Sequence, residues 1–88
     1  MDGALRIHHR TYVRLVTVEK RKHLWNGRWG RLARHDVLLY EDGGQWVVEE
    51  RIGGSGGRIA WAEFDREQAA LDRIRDLLDG PGEWRELG

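Results

Sequence analysis

Hydrophobic and polar residues alternate through most of this chain, and the repeat lengthens to a helical period only after residue 65. Residues 11–19 (TYVRLVTVE) are dense in β-branched and aromatic side chains. Thr11, Val13, Leu15 and Thr17 fall on one face and Tyr12, Arg14, Val16 and Val18 on the other, which predicts a strand. Residues 22–32 centre on Asn26-Gly27, a pair suited to positive φ at both central positions of a type I′ turn, and predict a basic hairpin with Trp25 and Trp29 near its tip. Residues 37–41 and 45–52 flank Asp42-Gly43-Gly44 and predict a second hairpin, whose three-residue loop is of the kind that carries a bulge. Residues 58–64 set Ile59 and Trp61 against Ala60, Ala62 and Phe64, a further strand with both faces partly covered. The intervening GGSGG run, residues 53–57, reads equally as a long hairpin loop or as backbone open to close approach by a partner.

The helical period is carried by Ala70, Leu71, Ile74, Leu77 and Leu78. Asp65 is the expected N-cap with Gln68 at the capping-box position, and Asp79-Gly80-Pro81-Gly82 is the expected stop. Arg66, Asp72, Arg73, Arg75, Asp76 and Asp79 form the opposite, solvated face. Trp84 lies beyond the stop, where an aromatic side chain can fold back onto helix or sheet. The fold class expected is α+β, an antiparallel sheet of four to five strands packed against one C-terminal helix. Residues 1–88 are read as one small domain, with 1–10 as a flexible extension.

Length and composition narrow the functional classes. An 88-residue chain has room for one small core. Without cysteine it has no disulfides and no thiolate metal ligands. No apolar stretch is long enough to span a bilayer and the N-terminus lacks a signal-peptide core, so a cytoplasmic protein with no membrane partner is expected. The few hydroxyls, Thr11, Thr17 and Ser55, stand in no recognisable catalytic sequence, and Glu49 and Glu50 point to opposite faces of a strand, so no enzyme is expected. His8, His9, His23 and His35 have no metal-site spacing, and no metal or other cofactor is expected.

The net charge of zero hides a division. Residues 1–35 hold nine bases and two acids, a net +7, while residues 36–88 hold six bases and thirteen acids, a net −7. Such a split makes either a polyanion-seeking surface or two halves that face each other when folded. On the first reading, Lys20, Lys22, Arg28, Trp29, Arg31 and Arg34 combine phosphate-neutralising groups with an aromatic platform around one hairpin. Arg51 and the glycine loop then approach the nucleic-acid backbone. On the competing reading the chain is a protein-interaction module, antitoxin- or immunity-like, whose acidic half meets a basic partner. A salt-sensitive homodimer of the +7 and −7 regions is a third form of association.

From Tyr40-Glu-Asp-Gly-Gly-Gln-Trp through Arg51-Ile52-Gly53 and Gly56 to Phe64, Ala69-Ala70 and Trp84, the chain resembles a WGR domain over residues 37–87. That family has a short antiparallel sheet ending in Trp-Gly-Arg-Ile/Val-Gly-x-x-Gly, then a strand, a Phe, an Ala-containing helix and a trailing aromatic. Glu49 and Glu50 stand where the family has Trp and Gly. A literal Trp29-Gly30-Arg31 occurs earlier, followed by Leu32-Ala33-Arg34 without the Gly-x-x-Gly spacing, so two registers compete, and the helix spacing favours the later one. The resemblance implies nucleic-acid binding, most directly DNA, with Arg51, Gly53 and Gly56 as the matching positions.

Overall fold

The two-residue period becomes strands, and their register decides which side chains the helix covers. The computed structural model describes residues 18–30, 33–54, 56–79 and 82–88. Over them run β1 (Val18–Trp25), β2 (His35–Asp42), β3 (Gln45–Ile52), β4 (Arg58–Phe64), α1 (Glu67–Leu77) and the two-residue β5 (Arg85–Glu86). Every pairing is antiparallel, in the order β4-β3-β2-β1-β5, so the α+β architecture of one five-stranded sheet and one helix is as expected. The strand expected at 11–19 lies outside the described residues up to position 17, as does the extension 1–10.

Cross-strand partners build the core in rows. Leu39 pairs with Val48 and Val48 with Ala62, while Leu24 pairs with Val37, so these side chains share the face beneath α1. There Val37, Leu39 and Val48 meet Ala70 and Ile74, all five buried. The opposite face is not bare: Leu38 and Val47 are buried on it, together with the carboxylates of Asp36, Asp42 and Glu49. Glu49 and Glu50 point to opposite faces as a strand requires. β4 is less covered than expected, because Arg58 to Trp61 are exposed along the sheet edge.

Three turns differ from expectation. Asn26-Gly27 is no type I′ turn: Asn26 does not have positive φ, and the strand that ends at Trp25 pairs with β2. The second hairpin is tighter than expected. Asp42 pairs with Gln45, leaving Gly43 and Gly44 with φ of +57° and +91° as a two-residue loop. The helix begins at Glu67 after Arg66, whose side chain makes no cap; Gln68 donates to Asp72 at 2.9 Å, so the Asp65 capping box does not form. The fold-back of Trp84 does occur, edge-on to His35 at 5.2 Å. The 53–57 run is a hairpin loop, and Gly57 is required there because a Cβ would come within 2.1 Å of the Ile52 carbonyl oxygen.

Leu39→Ala is expected to lower stability by about 2–5 kcal/mol, because the cavity opens between sheet and helix. Ile59→Ala, on the exposed edge, should change it by no more than about 0.5 kcal/mol. Urea midpoints of the two variants at constant m-value check this.

Candidate nucleic-acid interface

Asn26 shapes the loop that carries the exposed aromatic. Its side-chain Nδ2 donates to the Ala33 carbonyl at 2.8 Å, and its Oδ1 accepts from the backbone N–H groups of Arg28 at 3.2 Å and His35 at 3.1 Å. One buried amide thus ties both ends of the connection together. The Asn26 carbonyl in turn accepts from Glu83 N at 3.0 Å, and Gly82 is needed beside it because a Cβ there would lie 2.7 Å from that oxygen.

Inside this frame two indoles and a guanidinium stack. Trp25 ends β1, is buried, and donates from Nε1 to the Arg28 carbonyl at 2.9 Å. Trp29 lies edge-on to it at 4.8 Å yet is 73% exposed. The Arg34 guanidinium sits 5.1 Å from the Trp25 ring and 5.4 Å from the Trp29 ring, within cation–π range of both. Arg34 is fixed by Asp36, with Nε 2.8 Å from Oδ2 and Nη2 3.0 Å from Oδ1, a bidentate pair. His23 Nε2 lies 2.8 Å from the same Oδ1; an ionised carboxylate only accepts, so that nitrogen carries the proton.

Burial opposes ionisation of Asp36, but hydrogen bonds from Arg34 and His23, with their charges, outweigh it and hold the carboxyl below the usual range. The hydrogen bond to Asp36 raises Arg34 in turn. A parallel arrangement stands one strand over. Buried Glu49 accepts from Arg51 and, at 3.1 Å, from Trp61 Nε1. Arg51 is raised by that bond, and Tyr40 is pushed up by burial and then by the Glu49 charge.

The antiparallel register brings part of the expected site together. Trp25 pairs with Asp36, Asp36 with Arg51, and Ile52 with Arg58, so Arg34, Arg51, Arg58 and the loop carrying Arg28 share one end of the sheet. Gly53 joins this end by donating to the Arg34 carbonyl at 2.9 Å, and Gly56 is exposed in the same loop. Lys20 and Lys22 do not join it. They lie in β1, Lys20 five residues from Trp25, about 16 Å at the strand rise. Lys22 instead approaches Glu86 at 3.8 Å. Arg31 lies outside the described residues.

Among the described residues, Arg28 and Arg58 are exposed and carry no ion pair. Sequence reasoning took Asn26 only as a turn residue and passed over Arg58 and the carboxylates that hold Arg34 and Arg51. A signal for those carboxylates was available, since Arg34/Asp36 and Glu49/Arg51 are base and acid two residues apart, the spacing that shares a strand face.

No family model, curated protein or solved structure matches this chain. Its chemistry is read from its own side chains. Among the described residues no cluster of three or more histidines and carboxylates could hold a metal ion, and no helix is long and apolar enough to cross a membrane.

The depressed pKa of Asp36 has a definite sign in stability. Its contribution is present above the unfolded-state value of about 4 and is lost as pH falls through the lower folded value. Asp36→Asn should therefore flatten the acid limb of stability below about pH 4, measured as urea midpoints between pH 2 and 6. Asn26→Ala leaves two N–H groups without their acceptor and should cost about 1–3 kcal/mol, with faster amide exchange at Arg28 and His35.

Proposed function

We propose that this chain is a non-catalytic nucleic-acid-binding domain that stacks an unpaired base of single-stranded DNA on Trp29. Arg28, exposed in the same loop, neutralises an adjoining phosphate. The observation that carries the reading is an indole 73% exposed yet braced by Trp25 and Arg34. Exposed aromatics of this kind offer a π-face to any splayed base, and each stacked base is worth about 1–3 kcal/mol. A paired duplex keeps its bases stacked on each other, so a single strand suits this platform better.

The division of labour among the arginines differs from the sequence expectation. Arg34 and Arg51 already hold buried carboxylates, so they orient the site and add little net charge to it. The WGR-like stretch lends support, since Arg51, Gly53 and Gly56 belong to the strand end and loop that border Arg34. With Arg28 as the free cation beside the ring among the described residues, the salt dependence is shallow: single-strand counterion release of about 0.7 per phosphate gives a slope of about −0.7 in log K against log salt.

Fluorescence anisotropy with a labelled random-sequence DNA 12-mer tests this. Trp29→Ala should weaken binding about 5- to 150-fold, the stacking range above, with an unchanged urea midpoint. Arg28→Glu should weaken it and flatten the salt slope. Equal affinity of Trp29→Ala and the parent chain, or no binding by the parent chain at low salt, removes the proposal. An RNA 12-mer of matched length reports whether the sugar matters, and a duplex whether unpairing does.

A further inference from the structure

Beside the carboxylate that fixes Arg34 stands a histidine to which the stacking of a base on Trp29 gives no task. His23 lies in β1, two residues before Trp25 on the same strand face, with its side chain 17% exposed. Its Nε2 is 2.8 Å from Asp36 Oδ1, the oxygen that also accepts from Arg34 Nη2 at 3.0 Å. His23, Asp36, Arg34 and Trp29 thus form one continuous chain of contacts. A neutral imidazole that donates through Nε2 takes its second proton at Nδ1, so protonation leaves the bond to Asp36 in place. With His23 neutral, the charges of Arg34 and Asp36 cancel; with His23 protonated, the trio holds one uncancelled positive charge. Among the described residues, the other titratable groups that the register sets on this face, in the row of His23 or the rows beside it, are Lys20 in β1, Tyr40 in β2, Glu49 and Arg51 in β3, Glu63 in β4 and Arg85 in β5. Arg51 is engaged by Glu49, Arg85 lies 3.5 Å from Glu83, and burial pushes the Tyr40 hydroxyl up. Of these residue types, histidine is the one that ordinarily changes charge between about pH 5 and 8.

We infer that His23 is a positioning residue and proton sensor for the Trp29 site, an inference that rests on the DNA reading above and names what regulates that site. When protonated, His23 makes the Arg34 shelf net cationic and strengthens capture of the strand's phosphates; when neutral, it leaves the shelf without net charge. The hydrogen bond to Asp36 persists in both states, so the shelf stays where it is and only the charge beside the ring changes. Asp36 does not take the proton itself, because Arg34 and His23 hold its carboxyl below the usual range. A unit charge roughly 10 Å from a phosphate, in the effective dielectric of a protein surface, alters affinity about three- to tenfold at low salt and less as salt screens it. Linkage makes the effect reciprocal: bound DNA favours the protonated ring by the same factor.

Anisotropy at low salt with a labelled thymidine 12-mer, whose bases do not change charge between pH 5 and 8, tests this, together with proton nuclear magnetic resonance of the His23 ring in the free and bound chain. The parent chain should bind about three- to tenfold more tightly at pH 5.5 than at pH 7.5. The titration midpoint of His23 should move up by about 0.5–1 pH unit on binding, the same factor read from the other side. His23→Gln keeps an N–H donor for Asp36 and loses the titration, so it should bind with one affinity at both pH values. Equal parental affinities at the two pH values, a His23 midpoint that DNA does not move, or a pH dependence kept in full by His23→Gln overturns the inference. The ring titration uses the parent chain alone, so it decides the matter even where the variant fails to fold. A parent chain that binds at neither pH removes the DNA reading and this inference with it, whereas binding that is lost in Trp29→Ala but equal at both pH values overturns the inference alone.

Discussion

A single carboxylate in the sheet, Asp36, organises the end of the molecule where its chemistry is concentrated. A charge buried to this degree is tolerated only when paired and hydrogen-bonded. Asp36 meets that condition by drawing in Arg34 from the loop and His23 from the adjacent strand. Arg34, once fixed, becomes the shelf between Trp25 and Trp29, and its backbone carbonyl receives Gly53 from the neighbouring hairpin. Removing Asp36 would free a guanidinium near two indoles, and with it the support of the exposed ring. Stability and site geometry therefore depend on the same group.

Among the described residues, part of the charge division of the sequence is resolved within the fold. Arg21 bonds Glu41, Lys22 approaches Glu86, His23 and Arg34 meet Asp36, and His35 contacts Glu50. Each of these pairs joins the basic first part of the chain to the acidic remainder. The cause is topological: the antiparallel register sets β1 directly beside β2 and β5, the strands that carry the opposing charges. Exposed pairs among them add little stability, on the order of 0–1 kcal/mol each. Their larger effect is to subtract cations from the described surface, where Arg21, Lys22 and Arg34 are paired while Lys20 and Arg28 carry no ion pair.

The positions of β2, β3 and β4, the α+β class and the helix stripe were legible because each follows from a local period that tertiary structure reinforced. Leu39 and Val48 fall where alternation puts them, and Ala70 and Ile74 where the helical repeat does. Turn chemistry was less legible. Asn26-Gly27 has the composition of a two-residue turn, but Asn26 uses its amide to span a longer loop, a choice fixed by the partners Ala33 and His35 that only the folded chain supplies. The capping box failed for a related reason. Gln68 has an alternative acceptor in Asp72 one turn on, and the helix starts a residue later than Asp65 would require. At the site, Trp29 and Arg28 were recognisable from residue type, whereas the neutralisation of Arg34 and Arg51 needed the pairing of side chains two apart on a strand.

The loop end and the β4 side of the sheet differ in what they expose. At the loop end the exposed group is a rigid ring held by packing and a bidentate ion pair, so recognition there depends on a preorganised side chain and little on backbone. Along β4 the exposed residues are Arg58, Ile59, Ala60 and Trp61, which lie beyond the part of the sheet that the helix covers most. The helix accounts for the difference. It lies chiefly over β3, leaving β4 partly uncovered, and its C-terminal continuation then crosses to the far edge, where Glu83 and Trp84 close on Asn26 and His35. Among the described residues, the return that covers the loop end therefore draws chain away from β4, because one 11-residue helix cannot cover a five-stranded sheet.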